Sequence, residues 1–367
     1  MYSFNILTEH RVRYILTAFG ISLCALLMLF LVAIYKGVSY GSVEYVRAND
    51  ADLWVMQEHA TNILRSTSLL PAAYEENLIK IQGIKSVSPV FFILASVKLQ
   101  NDLNATLYLT GFDPGSGKGG PPAIIKGRNV KSDNEIVLDK AFAAKYKIKT
   151  GDKIRIRDDS LTVTGISTGT NMFVIQYAFI SINEAHTIIG FKNVVSCFQI
   201  FADKGSDIEK LKSDIRSELI NTAVFDKSTF IKNNIQEMES GIIPLLFIVT
   251  LISAIVLTAI LSLILSVSVL EKRKDFAIMK VLGSPRGFIP RLVIRVSMML
   301  SLTGVILALV IFFPMIGIVE RIFPEVSAKS SVIQILVVSA GVMIISLVSS
   351  VIPNRRIRKI YPMEVFM

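Results

Sequence analysis

The chain has 367 residues, 52% of them hydrophobic, and a formal charge of +10, with a mean hydropathy of +0.55. That is too apolar for an ordinary soluble domain and too basic for a neutral one, so a membrane protein is the first reading. A basic balance invites a nucleic-acid partner, but the positive charge gathers beside apolar runs, where topology and lipid headgroups account for it.

Four segments are long and apolar enough to cross a bilayer core that takes about 20 helical residues: 14–35, 242–270, 292–316 and 332–352. Residues 1–13 form a short amphipathic elbow before the first. The first run is longer than a secretory signal and lacks a small-x-small cleavage site, which favours an uncleaved anchor. The spans leave an insert at 36–241, a loop at 271–291, a short loop at 317–331 and a tail at 353–367. Both tails, the 271–291 loop and Arg295 hold thirteen Lys or Arg against Glu9, Glu271, Asp275 and Glu364, nine of the ten net charges. The positive-inside bias makes that side cytoplasmic and the insert and the 317–331 loop extracytoplasmic.

The insert reads as α+β. Residues 87–99 (VSPVFFILASVKL) and 106–112 are strand-like, and Tyr74, Leu78 and Ile81 have helical spacing. A similar unit returns with a strand at 194–202, a helix striped by Ile208, Leu211, Ile215 and Leu219, and a strand at 223–225. Two β-α-β units therefore suggest one subdomain built from 36–112 and 191–241, with stalks, and a second, β-rich one inserted at 113–190. The second opens on a Gly/Pro-rich run, DPGSGKGGPP, read as a flexible loop. A phosphate-binding P-loop needs G-x-x-x-x-G-K-[ST]; here Phe112 fills the first Gly position and Gly119 follows Lys118.

Metal and catalytic patterns are not evident. His10, His59 and His186 make no metal-ligand spacing, and no Ser or Asp marks a nucleophile elbow. The reading is a non-catalytic subunit with no cofactor of its own. Cys24 falls in the first span and Cys197 in the insert, so no internal disulfide is expected.

Residues 241–270 carry no charge, a helix of about 45 Å against a core of about 30 Å. Ile231, Ile235, Met238 and Ile242 continue its stripe upstream as a stalk, with residues 38–46 as a weaker counterpart above the first span. After it, "EKRKDFAIMKVLGSPRG" can form a two-turn helix opening near Asp275 and stopped by Gly283. Phe276, Met279 and Gly283 share a face. A helix this short needs a surface to rest on, either lipid or another protein.

That loop resembles the cytoplasmic loop of the MacB/FtsX/Lol-type ABC transporter permeases, patterned E-[KR]-[KR]-x-E-[FI]-[AG]-[IL]-[LM]-[KR]-A-[LI]-G. Asp275 replaces the usual Glu and Val281 the usual Ala. "NILTEHRVRYILTAFGISL", with Arg11 and Arg13, resembles the family's N-terminal elbow. "IPNRRIRKIYPMEVF", with Pro353, Pro362 and Glu364, resembles its C-terminal motif, and "GRNVKSDNEIVLDKAFAAKYKIKTGDKI" a stretch of its outer domain. Arg295 stands where many members have Glu, and the glycines of the third span are reduced to Gly304 and Gly317.

The resemblance implies four transmembrane helices with a large MacB-like extracytoplasmic domain of two subdomains between the first and second, in the bacterial plasma (inner) membrane. It implies a stand-alone DevC/HrtB-like permease subunit, without fused ATPase, that pairs with a second permease copy and a cytoplasmic ATPase dimer holding ATP and Mg. A membrane-fusion adaptor is a further partner in such systems. Phe276, Ala277, Met279, Lys280, Leu282 and Gly283 would contact the ATPase as a coupling helix. The implied function is export or extraction of a hydrophobic or amphipathic substrate by mechanotransmission. The alternative is an FtsX-like signalling subunit that activates a cell-wall hydrolase. Met28, Tyr35, Tyr40 and Tyr45 are candidate lining for a substrate in the outer leaflet, against the commoner role of interfacial anchoring.

Overall fold

The computed structural model describes residues 11–99, 103–172, 175–285, 287–326 and 330–358. The chain divides into a helical unit and a sheet unit, the latter made of residues 37–242 with the short segment 319–327.

Helix α1 (Arg11–Gly41) is followed by the short α2 (Glu44–Ala48). The insert runs through β1 (Leu53–Gln57), β2 (Leu70–Pro71), α3 (Tyr74–Ile79), β3 (Ile84–Lys98) and β4 (Asn104–Phe112). It continues with β5 (Ala123–Gly127), β6 (Glu135–Asp139), α4 (Lys140–Tyr146), β7 (Lys153–Ile156), β8 (Asp159–Thr168), β9 (Asn171–Met172) and β10 (Ile175–Ser181). Then come α5 (Ile182–Ile189), β11 (Val194–Val195), β12 (Cys197–Ala202), α6 (Ile208–Glu218) and β13 (Thr222–Asp226). The rest is helical: α7 (Lys227–Glu271), α8 (Arg273–Val281), α9 (Phe288–Ile322), α10 (Val332–Ser349) and α11 (Val351–Arg358).

Four of these helices are long and apolar enough to cross a membrane, and a large mixed α/β domain lies in the chain between the first and second of them, as the predicted fold class requires. In the helical unit, α7 buries Leu257, Leu261, Leu265 and Val269, one residue per turn. They meet Ile21, Ala25 and Met28 of α1 and Val296, Leu300 and Ala308 of α9 in one core. Lipid tails are as apolar as leucine, so close backbone approach and side-chain hydrogen bonds must hold such helices together. Gly304 supplies the approach: a Cβ there would lie 2.5 Å from Ile21 Cγ2 and 3.3 Å from the Ala18 carbonyl oxygen. Between α9 and α10, the Ser297 and Ser346 hydroxyls are 2.7 Å apart. Between α1 and α9, the Tyr14 and Thr303 hydroxyls are also 2.7 Å apart.

The sheet unit is organised around a path of β13-β1-β12-β3-β4-β10-β6-β8-β5. At this end of the sheet β1-α3-β3 and β12-α6-β13 interleave by antiparallel pairing of β1 with β12 and β13; the first of these units takes β1, which the sequence did not mark, in place of the predicted strand at 106–112. Helix α6 opens on Asp207, whose carboxylate accepts from the Glu209 and Lys210 amides, and it buries Leu211 and Ile215 against Phe198, Ile200 and Val224. The other face of this end of the sheet packs an aromatic layer in which Trp54 stacks on Phe230 of α7 at 4.9 Å. One turn on, Asn234 is fully buried and accepts from the Ile63 amide at 2.9 Å.

Two expectations are corrected. The division between the subdomains does not follow 112/113 and 190/191. Strand β3 has 15 residues, more than one neighbour covers: residues 84–90 pair with β12 and 91–98 with β4. Strand β4 then pairs in parallel with β10, and Leu107 and Leu109 share a core with Ile136, Leu138, Phe142 and Ile180. The cut therefore runs across β3, and β4 belongs with the inserted strands. The Gly/Pro run is not a free loop either. The Tyr45 hydroxyl donates to the Gly119 carbonyl at 2.7 Å, Ser88 Oγ donates to that of Lys118 at 3.3 Å, and the Asp113 carboxylate accepts from the Gly115 and Ser116 amides.

Residues 319–327 add a contact that the sequence did not signal. Lys145 Nζ lies 2.5 Å from Glu325 Oε1, and Asn171 Nδ2 donates to the Pro324 carbonyl at 3.2 Å.

Candidate functional site

Nine residues form α8 between two membrane-length helices. The turn out of α7 places the Lys272 amide on the Ser268 carbonyl (3.2 Å) and the Phe276 amide on the Lys272 carbonyl (3.0 Å), so the chain re-enters a helix almost at once. Asp275 lies in its first turn, where a negative charge is favourable, with Lys272 Nζ 4.0 Å away. The exit is a left-handed cap. Gly283 has φ 84°, and the Ser284 amide reaches back to the Met279 carbonyl at 3.0 Å. Without a Cβ, glycine takes this conformation freely, and Pro285 then prevents continuation.

The two faces of α8 differ. Phe276 and Ala277 are buried, 3% and 0% exposed, in the same core as Leu265 and Val269 of α7 and Leu292, Val293 and Val296 of α9. Met279 is partly buried against that core. Ile278, Val281 and Leu282 are 43%, 55% and 80% exposed, and their i, i+3, i+4 spacing puts them on one side. Of the residues expected to contact the ATPase, Phe276 and Ala277 pack into their own chain, Gly283 caps the helix, and Leu282 lies on the exposed apolar face beside Ile278 and Val281. Lys280 lies in the helix, but its side chain is outside the described residues.

The other predicted positions lie on several elements. Arg11 and Arg13 fall in the first turn of α1. Pro353 is buried within α11, whereas Pro362 and Glu364 lie outside the described residues. Met28 packs in the helical core and Tyr45 in the aromatic core of the sheet unit. Tyr35 is half-buried, and Tyr40 holds the Arg47 guanidinium 4.5 Å above its ring. The Tyr45 hydroxyl is committed to Gly119, and burial raises its ionisation far above the usual phenol range, with smaller contributions from Cys197 and Tyr177.

Comparison with known proteins identifies the chain. The MacB-like periplasmic core domain matches residues 14–218, more than half of it, and the FtsX-like permease C-terminal domain matches residues 247–362. The chain belongs to the MacB/FtsX-type ABC transporter permeases. Within this family it is 24% identical over 362 residues to a protein of Staphylococcus epidermidis named "Putative hemin transport system permease protein HrtB", covering 97% of this chain and 95% of that one. It is 25% identical over 231 residues to an uncharacterized ABC transporter permease, MJ1507, of Methanocaldococcus jannaschii, covering 59% and 57%. Among solved structures, the periplasmic region of MacB from Actinobacillus actinomycetemcomitans overlays at TM-score 0.40 and 15% identity, covering 52% of this chain and 95% of that one. ABC permeases of this family work with a partner ATPase, and α8 falls in the FtsX-like part.

Proposed function

We propose that this permease receives force from a separate cytoplasmic ATPase through α8 and passes it to an extracytoplasmic sheet domain, driving export or extraction of a hydrophobic or amphipathic substrate. The observation that supports this most is the apolar face of Ile278, Val281 and Leu282, left uncovered on a helix whose opposite face is packed into its own chain. In water such a face is costly, at about 25 cal/mol per Å² of apolar surface, and a groove in a partner relieves that cost.

The packing suits transmission. Phe276 and Ala277 join α8 to both α7 and α9, so a push on α8 is shared by two spans. Helix α7 has 45 residues, about 68 Å of unbroken hydrogen-bonded chain apart from the bond lost at Pro244. Its first turns belong to the sheet unit, where Phe230 and Asn234 are buried. The reading includes a second permease copy, a homodimer in the simplest case, and an ATPase dimer that holds ATP and Mg while this chain does no chemistry. The tails and α8 lie in the cytoplasm and the sheet domain outside the plasma membrane, as the charge distribution supports. The relative named for hemin transport supports an apolar, flat or amphipathic cargo.

The test is co-reconstitution with the partner ATPase and measurement of ATP turnover across a panel of porphyrins, lipids and amphipathic drugs. Stimulation by a member of the panel that Leu282→Asp abolishes is the expected result. A complex that forms but responds to none of them counts against export and favours signalling.

A further inference from the structure

The sheet unit contains a cleft of about 480 Å³ walled by the end of α2, the pinned Gly/Pro run and the end of β12. Three lysines line it: Lys85, Lys118 and Lys204. Lys118 is aimed by its surroundings. Its ammonium lies 3.9 Å from the centre of the Phe201 ring and donates to Ser86 Oγ. Partial burial, and then the positive charge of Lys85, lower its proton affinity below the usual lysine range. Among the described residues, none of the three lysines has a carboxylate within 4.0 Å. The acidic residues of the wall are Asp50, which is exposed, and Asp52, whose Oδ2 accepts from the Ala202 amide at 2.8 Å. The lining therefore carries a net charge of +1, with two ammonium groups close enough to repel beside an aromatic face.

Like charges held at one concave site cost free energy unless an anion shares them. Lysine meets phosphate or carboxylate oxygen as a point charge, and Phe201 with Pro121 and Pro122 offers an apolar wall next to it. We propose that this cleft binds an organic oxyanion, its charged oxygens between Lys85 and Lys118 and its apolar body against Phe201. The site is independent of α8 and of the ATPase reading. A GSGKGG run that fails as a nucleotide loop thus serves as a rigid arm for one lysine.

The experiment titrates the full chain, in phosphatidylcholine nanodiscs, with phenyl phosphate by calorimetry. Inorganic phosphate serves as competitor and phenyltrimethylammonium as the charge-reversed control. Saturable binding is expected, weakened about tenfold in both Lys118→Gln and Lys85→Gln and weakened further by salt. Phe201→Ala lowers affinity for phenyl phosphate more than for inorganic phosphate. Nanodiscs containing phosphatidylglycerol separate the sources: a lipid headgroup as occupant suppresses phenyl phosphate binding there, whereas a soluble occupant leaves it unchanged. Trp54 emission reports that each variant is folded. Lys85 is exposed, so its variant keeps the test open if Lys118→Gln does not fold. No saturable binding, equal affinity in folded Lys85→Gln, or equal binding of phenyltrimethylammonium overturns the proposal.

Discussion

Phe276 and Leu282 stand six residues apart in opposite environments: the first is 3% exposed against α7 and α9, the second 80% exposed. They therefore fail differently. Leu282→Asp or Ile278→Asp should cut co-purification of the ATPase about tenfold and leave the thermal midpoint of the isolated permease unchanged. Phe276→Ala should instead loosen the helical unit by up to about 3 kcal/mol through the cavity it leaves, read as a lowered midpoint before any partner is added.

Gly304 gives a second test. A Cβ at this position would lie 2.5 Å from Ile21 Cγ2 and 2.7 Å from Ile21 Cβ, so Gly304→Ala should force α1 and α9 apart at a cost of about 1–3 kcal/mol. Ile21→Ala in the same chain should return part of that loss. A double-mutant cycle on thermal midpoints in nanodiscs measures the coupling, and additive effects would contradict the contact.

Much of the architecture is legible in the sequence, and the reasons are local. An uncharged run such as 241–270 has no other stable home than a bilayer, and the stripe of Leu211 and Ile215 predicts the buried face of α6. What is not legible depends on distant partners. Residues 87–99 read as one strand, but nothing in them says that the strand observed there, β3, joins β12 with its first half and β4 with its second. The run DPGSGKGGPP looks free because the hydroxyl that pins it comes from Tyr45, 74 residues away. The α8 motif marks the segment but not its phase: the rotation of a nine-residue helix is set by what α7 and α9 bury, which puts Phe276 inside and Leu282 outside.

The Lys145–Glu325 pair ties the segment after α9 to α4. Partly exposed, it contributes about 0.5 kcal/mol or less, so its effect should show locally rather than in global stability. Lys145→Glu and Glu325→Lys should each speed protease cleavage between residues 317 and 331, and the double exchange should restore protection. Equal cleavage in all four proteins would contradict the tie.

Glu135 offers a pH test. Its carboxylate takes two bonds from Arg128, at 2.5 and 2.7 Å, and one from the Lys131 amide. The Arg128 bond first, with the Lys131 amide, holds its pKa down from 4.5 to about 2, against the opposing effect of burial. A carboxylate held down in the folded state stabilises fully above its unfolded value and loses that contribution as pH falls through the folded one. The midpoint gap between the native chain and Glu135→Gln, followed by Trp54 emission, should be constant above pH 4.5 and shrink towards pH 2. A gap that grows on acidification would reverse the assignment.

The central claim is that one side of α8, and not the other, meets the ATPase. Single cysteines at positions 276, 278 and 282, in a chain with Cys24 and Cys197 replaced, can be challenged with a short bismaleimide in the assembled complex. Positions 278 and 282 should cross-link to the ATPase and position 276 should not. Cross-links from 276 as strong as those from 282, or none from any of the three in a complex that turns over ATP, would contradict it.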